Sequence, residues 1–148
     1  MKSKKRFLHA YTLIEVLVTT ALLVSLVGIS IPIYQNFQIV NELDSSVNLT
    51  VRVLRSAQIQ SQSVKLDSNY GVFFSAGKVT IYKGATFATR DTTEDQAYDI
   101  PANVTITGLN DFIYSKAFGD PSTTGTITFT NFTTVKTIVI NSKGALTY

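Results

Sequence analysis

The sequence predicts an α+β protein. A long N-terminal helix, membrane-spanning in its first half and amphipathic in its second, is expected to pack on a small antiparallel β-domain of two sheets. Three observations carry this. Tyr11 to Ile33 is an apolar run whose only formal charge is Glu15; apolar residues then recur at helical spacing as far as Ala57; and from Tyr70 the period changes to two, in segments rich in Val, Ile, Thr, Phe and Tyr.

As a helix rising ~1.5 Å per residue, the apolar run spans roughly the ~30 Å of bilayer hydrocarbon. Lys2, Lys4, Lys5 and Arg6 precede it with no acid among them, a bias that keeps the N-terminus in the cytoplasm and places the C-terminal part outside. A carboxylate in a spanning segment costs ~2.5–3.5 kcal/mol at the bilayer centre and less near an interface, so Glu15 requires a reason. Either it lies in the first helical turn, where the macrodipole favours an anion, or it pairs with a cation inside an assembly. Pro32 lacks a backbone donor and crowds the preceding turn, which predicts a bend and not a break. One helix is therefore expected from about Thr12 to about Gln62.

In the second half of that helix, Ile39, Leu43, Val47, Val51, Leu54 and Ala57 form one face, with Glu42, Asp44, Asn48, Arg52 and Arg55 on the others. The stripe reads first as domain core and second as a subunit contact. Ser25, Gly28 and Ser30 are small residues that either let membrane helices approach closely or are ordinary members of a spanning segment.

The expected strands are Tyr70 to Ser75 and Lys78 to Lys83, joined as a hairpin through Ala76-Gly77, then Asn103 to Thr107, Phe112 to Ser115, Gly125 to Asn131, Val135 to Asn141 and Ala145 to Tyr148. Gly108, Gly119, Pro121, Gly125 and Gly144 mark the turns between the later ones. Asp91, Glu94, Asp95 and Asp99 form an acidic segment read as a solvated loop. Hard cations prefer oxygen ligands, which makes these four a weak calcium-type candidate, but their spacing fits no EF-hand.

Composition removes several function classes. Cysteine is absent and the one histidine, His9, precedes the apolar run, so the domain offers no Ser-His or Cys-His nucleophile pair and no His- or Cys-based zinc site. The net charge of +3 is concentrated in the leader, which holds four of the thirteen basic residues; beyond Asn41, nine basic residues face nine acidic ones. Bulk charge therefore gives no support to nucleic-acid binding. Asn48, Asn103 and Asn131 match the N-glycosylation pattern, as chance allows in a chain rich in Asn and Thr, and no glycan is assigned.

The basic leader, then Ala10-Tyr-Thr-Leu-Ile-Glu15 and an apolar helix, resembles the class III signal of type IV prepilins and type II secretion pseudopilins. Pro32-Ile33-Tyr34-Gln35-Asn36-Phe37 is similar to the Pro-x-Tyr-Gln-x-aromatic stretch at the same distance in that family. The resemblance implies cleavage between Ala10 and Tyr11 by a membrane prepilin peptidase, N-methylation at Tyr11, and assembly through Tyr11, Glu15 and Pro32, with Glu15 pairing to the amine of a neighbouring subunit. It departs from the family at Ala10, where Gly is usual. Leu49-x-x-x-Val53-Leu54-Arg55-Ser56-Ala57 and the ending Ile138 to Gly144 resemble the H-type minor pseudopilins, on weaker motifs.

The organisation expected from this is a leader over 1–10, a transmembrane and filament-core helix over 11–36, and an extracytoplasmic domain over 37–148 whose amphipathic helix runs to about 66. The function implied is a non-enzymatic, cofactor-free subunit of a pseudopilus. It would be held in a bacterial inner membrane before assembly and partnered by prepilin peptidase, other pilin subunits and an inner-membrane assembly platform. A pilin of a type IV or DNA-uptake pilus is the alternative, and a membrane-tethered enzyme a third reading. An ordinary signal peptide fits poorly, since Ser25 to Ile31 offers no Ala-x-Ala site.

Overall fold

A computed structural model describes residues 12–132 and 134–148, with the backbone alone for 30–33. Helix α1 (Leu13–Gln62) is followed by β1 (Tyr70–Ser75), β2 (Lys78–Lys83), β3 (Asp91–Asp99), β4 (Thr105–Gly108), β5 (Asp111–Tyr114), β6 (Gly125–Asn131), β7 (Thr134–Ile140) and β8 (Leu146–Thr147). The strands form two antiparallel four-stranded sheets, ordered β3-β2-β1-β5 and β4-β6-β7-β8. The chain divides into two compact units between Phe37 and Gln38. This is the α+β architecture of one long helix and two small sheets. The helix continues through Pro32 without a break.

Within the second unit the stripe of α1 is core. Leu43, Val47, Val51, Leu54 and Ala57 are buried, joined by Val53, while Ile39 is half-buried. Their partners are the inward residues of both sheets, among them Tyr70, Val72, Phe74, Ile81, Phe112 and Tyr114 from the first and Ile127, Phe129, Ile138 and Ile140 from the second. Burial without a partner for its hydroxyl pushes the pKa of Tyr114 up.

The end of the helix is fastened by a buried serine. Ser61 Oγ accepts from the Tyr70 backbone N–H at 2.9 Å and donates to the Tyr114 carbonyl at 3.1 Å, joining α1 to β1 and β5. The chain leaves α1 through left-handed backbone at Val64, Leu66 and Asp67. Lys116 holds that turn, its ammonium 2.8 Å from Asp67 and its backbone N–H donating to Asn69 Oδ1 at 2.8 Å. The ammonium keeps the Asp67 carboxyl below its usual range. Ser61→Ala strands a buried N–H and a buried carbonyl, so we expect a loss of about 1–3 kcal/mol. Urea midpoints should show this for Ser61→Ala and not for Ser63→Ala, whose exposed hydroxyl bonds only its own helix turn. Equal midpoints would remove the role assigned to Ser61.

The outer face of the first sheet is closed by aromatic stacking. Gly71 lies opposite Tyr82, whose ring occupies the space a side chain at Gly71 would take and whose hydroxyl donates to Asp111 Oδ1 at 2.7 Å. Phe87, from the connection between β2 and β3, stacks on Phe73 at 3.8 Å between ring centroids and carries the Arg90 guanidinium at 3.7 Å. The second sheet has a different outer face. Register places Thr105 and Thr107 of β4, Thr126, Thr128 and Thr130 of β6, and Val135, Thr137 and Val139 of β7 on one surface that carries no charge.

Strands β4, β5, β7 and β8 each differ from the sequence expectation by one or two residues at both ends, in part for identifiable local reasons. Val104 N–H donates to Pro101 O at 2.9 Å, a turn that delays β4 to Thr105. Asn141 Oδ1 accepts from the backbone of Lys143 and Ala145, both at 2.9 Å, which stops β7 at Ile140 and leaves β8 two residues long.

The acidic segment is the principal correction. Residues 91–99 are not a loop but the longest strand, β3, at the edge of the first sheet. None of its residues is buried, so it needs no apolar alternation, and charge on an edge strand discourages pairing with other chains. Here the charges are used across the ladder and at its end, and the ladder shifts register between Ile81 and Lys83.

Candidate functional site

The feature that sets this chain apart from an ordinary small α+β domain is the first half of α1. Leu13, Ile14, Leu22, Leu23, Val24, Leu26 and Ile29 are each 60–80% exposed, on every side of the helix. No residue of its most apolar 18-residue window is buried, and the helix is long and apolar enough to cross a membrane. A helix apolar all round has no polar face to offer water.

Among the described residues, three of its hydroxyls are satisfied internally. Thr19 and Thr20 donate to Val16 O at 3.0 and 2.9 Å, and Ser25 donates to Ala21 O at 2.8 Å. In hydrocarbon, where no water is present to serve them, this back-bonding is what such side chains require. Gly28 has open space where a side chain would begin.

Thr12 precedes the helix, with Glu15 in its first turn. Glu15 N–H donates to Thr12 O at 3.0 Å and reaches Thr12 Oγ1 at 3.4 Å. Thr12-Leu-Ile-Glu15 is the spacing of a capping box, which sequence reasoning missed although the Thr-x-x-Glu pattern before an apolar run signals it. The helix start thus supplies one reason for Glu15: an anion beside the unpaired N–H groups of the first turn. Ala10 and Tyr11, the cleavage pair, lie outside the described residues, as do the side chains of Ser30 and Pro32.

The four candidate metal ligands do not converge. Lys83 lies 3.5 Å from Asp91, Arg90 Nε 2.8 Å from Asp95, and Lys78 3.9 Å from Asp99. Asp91 also accepts from Thr93 Oγ1 at 2.6 Å and from Thr93 N–H at 3.1 Å. These hydrogen bonds, followed by Lys83, hold its carboxyl below the usual range. Extended backbone at ~3.3 Å per residue spreads the carboxylates along the edge. Among the described residues no three His, Cys, Asp or Glu side chains gather as a metal site would need.

Among the described residues of the second unit, two clefts stand out. One, of about 280 Å³, is lined by Phe74, Gly77, Val104, Thr107 and neighbouring backbone, with no carboxylate or cation on its walls. The other, of about 350 Å³, lies between α1 and β7 and contains the Asp44–Lys136 ion pair. Of the three glycosylation matches, Asn131 is fully buried and donates to Ile39 O at 3.2 Å, which withdraws it from any modifying enzyme.

Compared with known proteins, the chain matches no family model, no curated protein and no solved structure.

Proposed function

We propose that this chain is a structural subunit of a pseudopilus or pilus. In this reading it is anchored in a bacterial inner membrane by α1, cut between Ala10 and Tyr11 by a prepilin peptidase and methylated at Tyr11. An assembly platform then draws it into a filament whose core is built from such helices. The observation that carries the reading is the fully exposed apolar half of α1 with Glu15 as its one formal charge, behind a basic leader. A helix of that kind has two stable surroundings, lipid or other apolar helices, and a filament subunit passes from the first to the second. Within the family, the resemblance is greatest to the H-type minor pseudopilins of type II secretion.

The mass of the N-terminal peptide from membrane-extracted protein tests this. We expect a peptide that begins with methylated Tyr11. An intact Met1 leader would leave a static anchor, and a start beyond Ile31 an exported protein with a conventional signal; either would refute the proposal.

A further inference from the structure

The two sheets have four edges between them, and three are closed to further pairing. β3 carries Asp91, Glu94, Asp95 and Asp99, charges that discourage an added strand. β5 is covered by the segment after it, where Tyr114 bridges to Pro121 and Ser122 N–H donates to Ile113 O at 2.8 Å. β8 is two residues long. The fourth edge, β4, reads Thr105-Ile-Thr-Gly108, with neither charge nor proline, and among the described residues no strand pairs with its outer side.

Register shows which backbone groups that side presents. Leu109 N–H donates to Thr126 O at 3.3 Å, and opposite residues of an antiparallel pair exchange such bonds at every second position. Thr105, Thr107 and Leu109 therefore bond toward β6, and the N–H and C=O of Ile106 and Gly108 point the other way. On that side lies the end of β1: Phe74 N–H donates to Asn110 O at 2.8 Å, where the chain leaves β4 for β5. Beyond this bond no ladder joins β1 to β4, and the cleft of about 280 Å³ opens there, lined by β4 along its length and by residues 74–77. Unpaired N–H and C=O groups at strand spacing specify their own partner, because another extended backbone alternates donor and acceptor at the same repeat. The side chains around the cleft carry no charge: Phe74, Val104 and Ile106 are apolar, and Thr105 and Thr107 stand on the other face of the strand. About 280 Å³ along the ~13 Å of a four-residue strand holds one segment, whereas a second copy of this chain would bring the edge of a whole sheet.

We infer that the outer edge of β4 is a docking site for an extended, uncharged segment of a partner protein, which adds a fifth strand to the second sheet. Main-chain hydrogen bonds to Ile106 and Gly108 hold the segment. Its alternate side chains give selectivity, apolar ones against Phe74, Val104 and Ile106 and β-branched or hydroxyl ones in line with Thr105 and Thr107. The site is separate from the helix-borne assembly proposed above, so its failure would leave that reading untouched.

The probe is a capped heptapeptide with the sequence of β6 (Gly125–Asn131), an uncharged strand that already pairs with the inner side of β4. Full-length protein in detergent micelles would be titrated with it and followed by amide hydrogen exchange, resolved by NMR. We expect saturable binding that slows exchange of the Ile106 and Gly108 amides by about tenfold or more and leaves those of β3 and β8 unchanged. N-methylation of the peptide should weaken binding at every second residue only, by about threefold to tenfold for each hydrogen bond removed. Ile106→Pro deletes one outward donor and spares the ladder to β6, a change that edge strands accept, and should weaken binding by a similar factor. If that variant does not fold, the N-methyl series on the unsubstituted protein decides. No binding, binding that leaves Ile106 and Gly108 exchanging as before, or an N-methyl effect equal at all positions overturns the proposal. Slow exchange of these two amides in the peptide-free protein, lost on dilution, would mean that a second copy takes the edge, which also overturns it.

Discussion

Glu15→Ala is expected to leave the β-domain intact and to abolish incorporation into filaments. Glu15 lies in the unit that ends at Phe37, while the core from Leu43 to Ile140 belongs wholly to the other, so thermal unfolding of the domain should not move. In the proposed assembly the carboxylate meets the N-terminal amine of a neighbouring subunit in an apolar filament core. Removing one partner of a buried ion pair costs about 3–5 kcal/mol; at ~1.4 kcal/mol per tenfold, this is more than two orders of magnitude in subunit affinity. Glu15→Gln should fail nearly as completely, because the amide keeps the shape and loses the charge. Immunoblots of sheared filaments against whole membranes measure both, and normal incorporation of either variant would end the pairing role. If Glu15 served only the helix start, its loss would cost no more than the ~0.3–1 kcal/mol of a dipole contact.

The second large effect concerns folding. Gly108→Ala should destabilise the domain by about 2–6 kcal/mol, combining ~1–3 kcal/mol for a left-handed non-glycine residue with ~1–3 kcal/mol for overpacking. Gly108 ends β4 at φ 99°, and a Cβ there would stand 2.3 Å from Thr126 O. That oxygen belongs to the neighbouring strand and cannot swing aside as the end of a side chain can; it also accepts from Leu109 N–H at 3.3 Å. Against a domain stability of about 5–15 kcal/mol, such a loss brings the protein close to unfolding. Urea titration followed by circular dichroism gives the value, and a change under about 1 kcal/mol would mean that β4 repacks without difficulty. Gly77→Ala, whose added Cβ would stand 3.7 Å from Ile100 O, also meets a positive φ but without the collision and should cost less.

How much was legible in the sequence varied with the kind of signal. The helix from Leu13 to Gln62 and strands β1, β2 and β6 were readable almost to the residue, because each carries its signal in its own residues: an apolar run followed by a helical stripe in α1, and segments rich in Val, Ile, Thr and aromatics in the strands. Strand β3 was not, because Asp91 to Asp99 owes its extended shape to the ladder with β2 and to Lys78 and Lys83 beside it, neither of which leaves an apolar trace in the segment itself. Buried polar residues were equally silent. Ser61 finds Tyr114 across 53 positions and Asn131 finds Ile39 across 92, distances at which composition carries no information. At the candidate site, the charge and setting of Glu15 were visible in the sequence, and its Thr12 cap was visible but overlooked.

The way α1 is fastened to the sheets has a mechanical meaning. Asn131 grips the helix at Ile39, Lys136 meets it at Asp44, the core runs from Leu43 to Ala57, and Gln58, Ser61 and Gln62 hold the far end. A pull along the helix axis loads these attachments together, in shear, whereas a sideways pull would part them in sequence like a zipper. In the proposed assembly, a subunit drawn lengthwise by its own helix would be stressed in the direction in which the domain is hardest to strip from that helix.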